Sequence, residues 1–196
     1  MTAAYVFLGV VVLLVLAVVV SYNRFVRQRN LVQESWRQVD VELTRRHDLV
    51  PNLVETVKGY AAHERTVLTN VVAARDAALQ APSLPAKADA ETALAGSLRG
   101  LFAVAENYPD LKAAGPFLQL QAQLAETEDR IAAARRFYNG NVRALNTRVE
   151  AFPSSLVAIS FRVEKAEYFE IEDASVRAPV SVSFGGASGG APAPSA

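Results

Sequence analysis

The sequence predicts an all-α protein: an antiparallel four-helix bundle preceded by one N-terminal transmembrane helix. Three features predict it. An uncharged apolar block opens the chain, apolar residues then recur every three or four positions, and proline-bearing breakers cut that recurrence into helical lengths. The chain has 196 residues, 51% of them hydrophobic, which suits one core with accessories.

Residues 3–20 form a run of 18 without a charge or a strongly hydrogen-bonding side chain. At 1.5 Å per residue the run nearly crosses a ~30 Å hydrocarbon layer, and Ser21 and Tyr22 complete it. Tyr5 and Tyr22 lie near its two ends, where an amphipathic ring suits an interface. A cleaved signal peptide would want a basic start and a small-x-small site. Met1-Thr2 has no basic residue and Val18-Val19-Val20 cleaves poorly, so residues 1–22 read as a retained anchor. Arg24, Arg27 and Arg29 follow the run. The positive-inside bias then predicts a single-pass inner-membrane protein with its N-terminus outside and its bundle cytoplasmic.

The bundle is expected over residues 23–160. Val32, Trp36, Val39 and Leu43, then Val50, Leu53, Val57 and Tyr60, form a helical stripe that Pro51 interrupts. Either one helix kinks at Pro51, or one ends near Arg46 and another begins with Asp48 as cap and Pro51 in its first turn. The second reading is preferred, because a hairpin lets two stripes cover each other. That second helix would run from about Pro51 to Gln80, with Leu68, Val71 and Leu79 continuing its stripe. Ala81-Pro82-Ser83-Leu84-Pro85 breaks it. A third helix is expected over residues 87–105 on Leu94, Leu98, Leu101 and Phe102. A fourth is expected over residues 116–151, with a coiled-coil-like stripe from Phe117 to Phe152 and a soft spot at Gly140. Residues 161–175 read as an irregular segment, the apolar run from Leu156 to Phe161 as a flap or short strand, and residues 176–196 as a disordered Ala/Ser/Gly/Pro tail.

Composition excludes several chemistries. Lys+Arg and Asp+Glu are both 20, so no basic excess points to nucleic acid. The chain has no cysteine, hence no disulfide, thiolate metal site or lipid-modified cysteine. The two histidines, His47 and His63, each stand beside one carboxylate and lack the i, i+4 spacing of a helical zinc site. They read as solvated or capping side chains. Glu126, Glu128 and Asp129 lack the Glu-x-x-His element of di-iron bundles and read as a charged face paired with Arg130, Arg135 and Arg136. Trp36 and most tyrosines read as core. No phosphate loop and no nucleophile–base pair is visible, so no catalytic residue, cofactor or metal is expected.

A specific resemblance adds to this. Arg29-Asn30-Leu31-Val32, Ser35-Trp36, Val39-Asp40-Val41-Glu42-Leu43 and the run from Arg45-Arg46-His47-Asp48-Leu49-Val50-Pro51-Asn52-Leu53-Val54 to Gly59-Tyr60-Ala61 resemble the bacterial LemA family. So do Glu106-Asn107-Tyr108-Pro109-Asp110, Thr127-Glu128-Asp129-Arg130-Ile131, Ala134-Arg135-Arg136-Phe137-Tyr138-Asn139, Phe152-Pro153-Ser154 and Tyr168-Phe169-Glu170. The resemblance implies a single-pass membrane protein with a four-helix soluble bundle, and implies no enzyme activity. The chain departs from the family at Gly115-Pro116, where Asn before Phe is common, and at Phe161-Arg162-Val163, where a glycine between aromatics is common.

The function expected is therefore that of a membrane-tethered interaction or scaffold protein with an unidentified protein partner. A second copy of the chain is an alternative partner for the stripes. The candidate surface is Asn52, Glu55, Lys58, Tyr60, His63 and Glu64 with Glu106, Asn107, Tyr108 and Asp110. A membrane-tethered sensor, binding a small ligand or ion within the bundle, is the alternative.

Overall fold

A computed structural model describes residues 1–170; the expected disordered tail lies outside the described residues. Those residues form helices and no strand. In order they are α1 (Thr2–Lys58), α2 (Arg65–Gln80), α3 (Leu84–Ala105), α4 (Pro109–Ala113), α5 (Gly115–Glu150) and α6 (Ser154–Ser160). Helix α1 packs mainly on α5, and α2 mainly on α3; α1 also meets α2 and α6.

Helix α1 joins the apolar block to the helical body without a break. Residues 1–20 are all exposed, and this stretch is long and apolar enough to cross a membrane. From Phe25 onward one face is buried.

The preferred break before Pro51 does not occur. Pro51 lies inside α1, and Asp48 is an exposed mid-helix residue rather than a cap. Pro51 has no N–H to give the carbonyl four residues back, which is that of His47. That carbonyl instead accepts a hydrogen bond from Arg75 Nε of α2 at 2.8 Å. A side chain from another helix thus repairs the ladder where proline opens it.

The break comes later. Gly59 ends α1, and Tyr60 and Ala61 both donate to the Val57 carbonyl, at 3.0 and 2.8 Å. This tight turn seats Ala61 in the core. The expected helix over residues 51–80 is therefore divided between α1 and α2, and in α2 Ala78 rather than Leu79 faces inward.

Helix α3 starts three residues earlier than expected. Ser83 caps it by accepting from the Ala86 N–H, and Pro85 sits in the first turn, where its missing donor costs nothing. Gly140 stays helical within α5. The apolar run after Pro153 contains helix α6 rather than a strand; short apolar runs do not distinguish the two by period. Phe152, expected to end the α5 stripe, is 81% exposed and outside the helix.

The buried apolar residues form two clusters. One gathers Val50, Leu53 and Val57 of α1 with Leu68, Val71, Leu94, Leu98, Leu101, Leu111, Phe117 and Leu124. The other gathers Phe25, Val32, Val39 and Leu43 of α1 with Ile131, Tyr138, Val142, Leu145, Val157, Val163 and Phe169.

Residues 161–170 form no regular element but are held closely. Asn146 pairs with Ala166 through both backbone groups at 2.9 Å, and Asn139 pairs likewise with Phe169 at 3.1 and 3.0 Å. Two side chains seven apart on α5 thus satisfy a strap that has no ladder of its own. Tyr138 Oη donates to the Glu167 carbonyl at 2.8 Å. Burial first, then the Glu167 charge, holds this phenol above its ordinary range. The strap begins with Arg162 at φ 52°, the left-handed region that favours glycine. This is one of the two places where the chain departs from the LemA pattern. Arg162→Gly is expected to stabilise the protein by about 1 kcal/mol by relieving the Cβ clash. Thermal unfolding followed by circular dichroism reads this; an unchanged or lowered midpoint contradicts it.

Candidate functional site

Between the two apolar clusters lies a group of charged side chains that water scarcely reaches. Arg46 and His47 of α1 are 2% and 3% exposed, and Glu91 of α3 is 0% exposed. The Glu91 carboxylate spends one oxygen on each partner. Arg46 Nη1 donates to Oε2 at 2.9 Å, and His47 Nε2 hydrogen-bonds Oε1 at 2.8 Å. Arg46 Nη2 reaches Glu128 of α5, which is open to solvent on its outer side. With Arg75 of α2 on the His47 carbonyl, the cluster touches α1, α2, α3 and α5.

Each placement has a local cause. Arg46 occupies the stripe Val39, Leu43, Arg46, Val50, Leu53, Val57, a regular alternation of four and three. Glu91 opens the stripe Leu94, Leu98, Leu101 at the same spacing. Charges at core positions must pair, because an isolated buried charge costs several kcal/mol. Here the guanidinium fork binds a buried carboxylate with one arm and a rim carboxylate with the other. Arg46 Nε is a fully buried side-chain atom of this cluster left without a hydrogen bond.

His47 is therefore not the solvated or capping side chain expected from sequence, and Glu128 joins Arg46 across the helices. The expected charged face holds in part: Arg130 pairs with Glu126 at 2.5 Å, and also approaches Glu42 at 4.0 Å. The partners that the His47–Glu91 pair touches include no hydroxyl nucleophile. Among the described residues no group of three or more His, Asp and Glu is placed to hold a metal ion.

The candidate surface lies elsewhere. Asn52, Glu55, Lys58, Tyr60, His63, Glu106, Asn107 and Asp110 are exposed, and Glu64 and Tyr108 are half-buried. The structure joins its two sequence segments at one point, where Tyr108 Oη donates to Glu64 Oε1 at 3.0 Å. That hydrogen bond, then burial, then the carboxylate charge, raises the Tyr108 phenol above its ordinary value. Glu55 pairs with Lys58 at 3.4 Å, and Glu106 pairs with Lys112. Asn52 lies well up α1, away from the turn, where its carbonyl accepts from Thr56.

Sequence reasoning missed Arg46, Glu91 and Glu128 as a constellation. The available signal was a charged residue standing in an apolar stripe at both Arg46 and Glu91.

Comparison with known proteins places this arrangement. Magnetosome protein MamQ 2 of Paramagnetospirillum magneticum is 24% identical over 186 residues, covering 82% of this chain and 68% of the relative. Magnetosome protein MamQ of Magnetospirillum gryphiswaldense is 25% identical over 174 residues, covering 76% and 64%. Protein LemA of Metamycoplasma hominis is 25% identical over 158 residues, covering 77% and 69%. The family model described as LemA family matches residues 35–184, a span that takes in the buried cluster, the candidate surface and the strap, and the chain belongs to the LemA family.

Proposed function

We propose that this protein is a membrane-anchored helical scaffold: residues 3–20 of α1 span the inner membrane, and an antiparallel four-helix bundle of α1, α2, α3 and α5 presents its surface in the cytoplasm. The observation that carries the reading is the continuity of α1. One helix passes from a wholly exposed apolar stretch into a face buried by α5, so anchor and body form one rigid rod. An uncovered run of this length suits lipid rather than water. Arg24, Arg27 and Arg29 directly after the run suit the cytoplasmic side.

The scaffold reading is preferred to catalysis because the buried Glu91 carboxylate is taken up by Arg46 and His47 and meets no hydroxyl nucleophile. The sensor alternative draws on the same rod, which would carry movement from the cluster to the membrane. Its yielding points would be Pro51 and Gly140, yet both lie within continuous helix and Arg75 braces the first.

Two measurements test the reading. Alkaline phosphatase fused after Ala196 is expected to be inactive and a cytoplasmic reporter active; the reverse pattern refutes the orientation. A photo-crosslinking residue at Tyr60 or Asp110 in growing cells is expected to form adducts with a protein other than this chain. Adducts with itself alone would remove the case for a separate partner.

A further inference from the structure

We propose that the segment around α6 is a second membrane contact, an apolar knuckle seated in the headgroup–acyl boundary beside the anchor. The proposal rests on the anchor reading above. Phe152, Leu156, Ile159 and Phe161 are 81%, 58%, 76% and 50% exposed. Leu156 and Ile159 lie three apart on α6 and Phe152 just precedes it, while Val157 and Ala158 are buried against the body. The short helix therefore has an inner apolar side that the fold covers and an outer apolar side that it leaves bare.

The place of this bare side in the fold identifies its occupant. Phe161 lies against Tyr22, at the end of the apolar run, with ring centroids 4.7 Å apart. A cleft of about 710 Å³ runs between the two parts, lined by Leu14 and Val18 of the apolar run and by Ala144, Arg148, Pro153 and Leu156 opposite. Leu14 is six residues inside Val20, or about 9 Å along the helix axis. The end of α5 and the start of α6 thus lie beside α1 at a level that the anchor reading assigns to lipid. A body that stayed wholly in water could not reach that level.

Charge agrees with the placement. Arg24 and Arg148 line the cleft, and Arg162, next to Phe161, is exposed. Apolar side chains flanked by guanidinium groups suit the boundary between acyl chains and anionic phosphates. The long arginine stems let the charged heads rise to the phosphates while their methylenes stay in the apolar layer. The bilayer is the occupant because the bare face is continuous with the surface of α1 that the anchor reading already gives to lipid.

The absence of cysteine makes the test direct. Single-cysteine variants of the full chain, Ile159→Cys, Leu14→Cys and Lys58→Cys, are labelled with an environment-sensitive fluorophore and reconstituted in phosphatidylcholine–phosphatidylglycerol vesicles. All three positions are exposed, so the labels replace no core contact. Lys58 lies 38 residues beyond Val20, about 57 Å along α1, and serves as the aqueous reference. Doxyl-labelled lipid is expected to quench the label at residue 159 at least half as strongly as the label at residue 14, and to leave residue 58 unquenched. Quenching at residue 14 alone overturns the knuckle and leaves the anchor standing. Quenching at neither 14 nor 159 overturns both, and equal quenching at all three overturns the knuckle as a specific contact.

Discussion

Glu91→Ala is expected to destabilise the protein by about 3–5 kcal/mol, because it strands the Arg46 guanidinium in the interior. Glu91 is fully buried and meets Arg46 at 2.9 Å and His47 at 2.8 Å, so one truncation removes two charge-assisted contacts. The residual contact of Arg46 with Glu128 does not compensate, because that carboxylate is 44% exposed and screened by water. Glu128→Ala should accordingly cost less than about 1 kcal/mol. Chemical unfolding of the full chain in detergent, followed by circular dichroism, separates the two. The triple variant Arg46→Met, His47→Leu and Glu91→Leu should recover most of the loss, since apolar groups of similar volume need no partner. A Glu91→Ala protein within about 1 kcal/mol of the parent would show that the cluster does not act as a buried network.

Phe169→Ala is expected to cost about 3–5 kcal/mol, the loss typical of a buried aromatic truncated to a methyl group. Its ring is 0% exposed and packs edge-on against Trp36 with centroids 5.2 Å apart. Trp36 in turn packs against Tyr138 at 5.4 Å and lies under the Lys87 ammonium at 5.7 Å. Phe169 therefore closes a stack that ties the strap to α1 and α5. Trp36 is the one tryptophan in the chain, so its fluorescence reports the site directly. The variant should show a red-shifted emission together with a lower unfolding midpoint. An unshifted emission would mean that the strap stays in place without its anchor, and would contradict this account.

Much of the architecture was legible because it is local. The stripes of α3 and α5 appear in sequence at the spacing their buried faces require, and Leu94, Leu98, Leu101, Phe117, Leu124, Ile131 and Val142 are all core residues. The breaker at residues 81–85 and the proline near the start of α3 carried their own backbone chemistry. The apolar block was equally plain, as was membership of the LemA family through motifs distributed along the chain. The candidate surface was legible only as exposure; the contact between Tyr108 and Glu64 joins positions 44 residues apart.

Where sequence reasoning failed, a distant partner decided the outcome. Pro51 looked like a helix boundary because its local effect is to open the ladder. The boundary vanishes because Arg75, 28 residues away, takes the orphaned His47 carbonyl. His47 looked solvated because it stands in a run of charged residues, yet Glu91 draws it inside from 44 positions away. The strap has no ladder of its own over residues 161–170, and Asn139 and Asn146 satisfy its backbone from α5.

The sequence by itself determined that the chain is helical, where most stripes lie, that an apolar run opens it and which family it joins. Each of these depends on residues within a few turns of one another, where spacing alone dictates which side chains share a face. Only the tertiary structure decided that α1 continues through Pro51, that a charged layer ties the four long helices together, and that Phe152, Leu156 and Ile159 are left bare beside the apolar run. Those outcomes depend on partners brought close by folding, and a buried charge or an open carbonyl takes its meaning from the group placed opposite it.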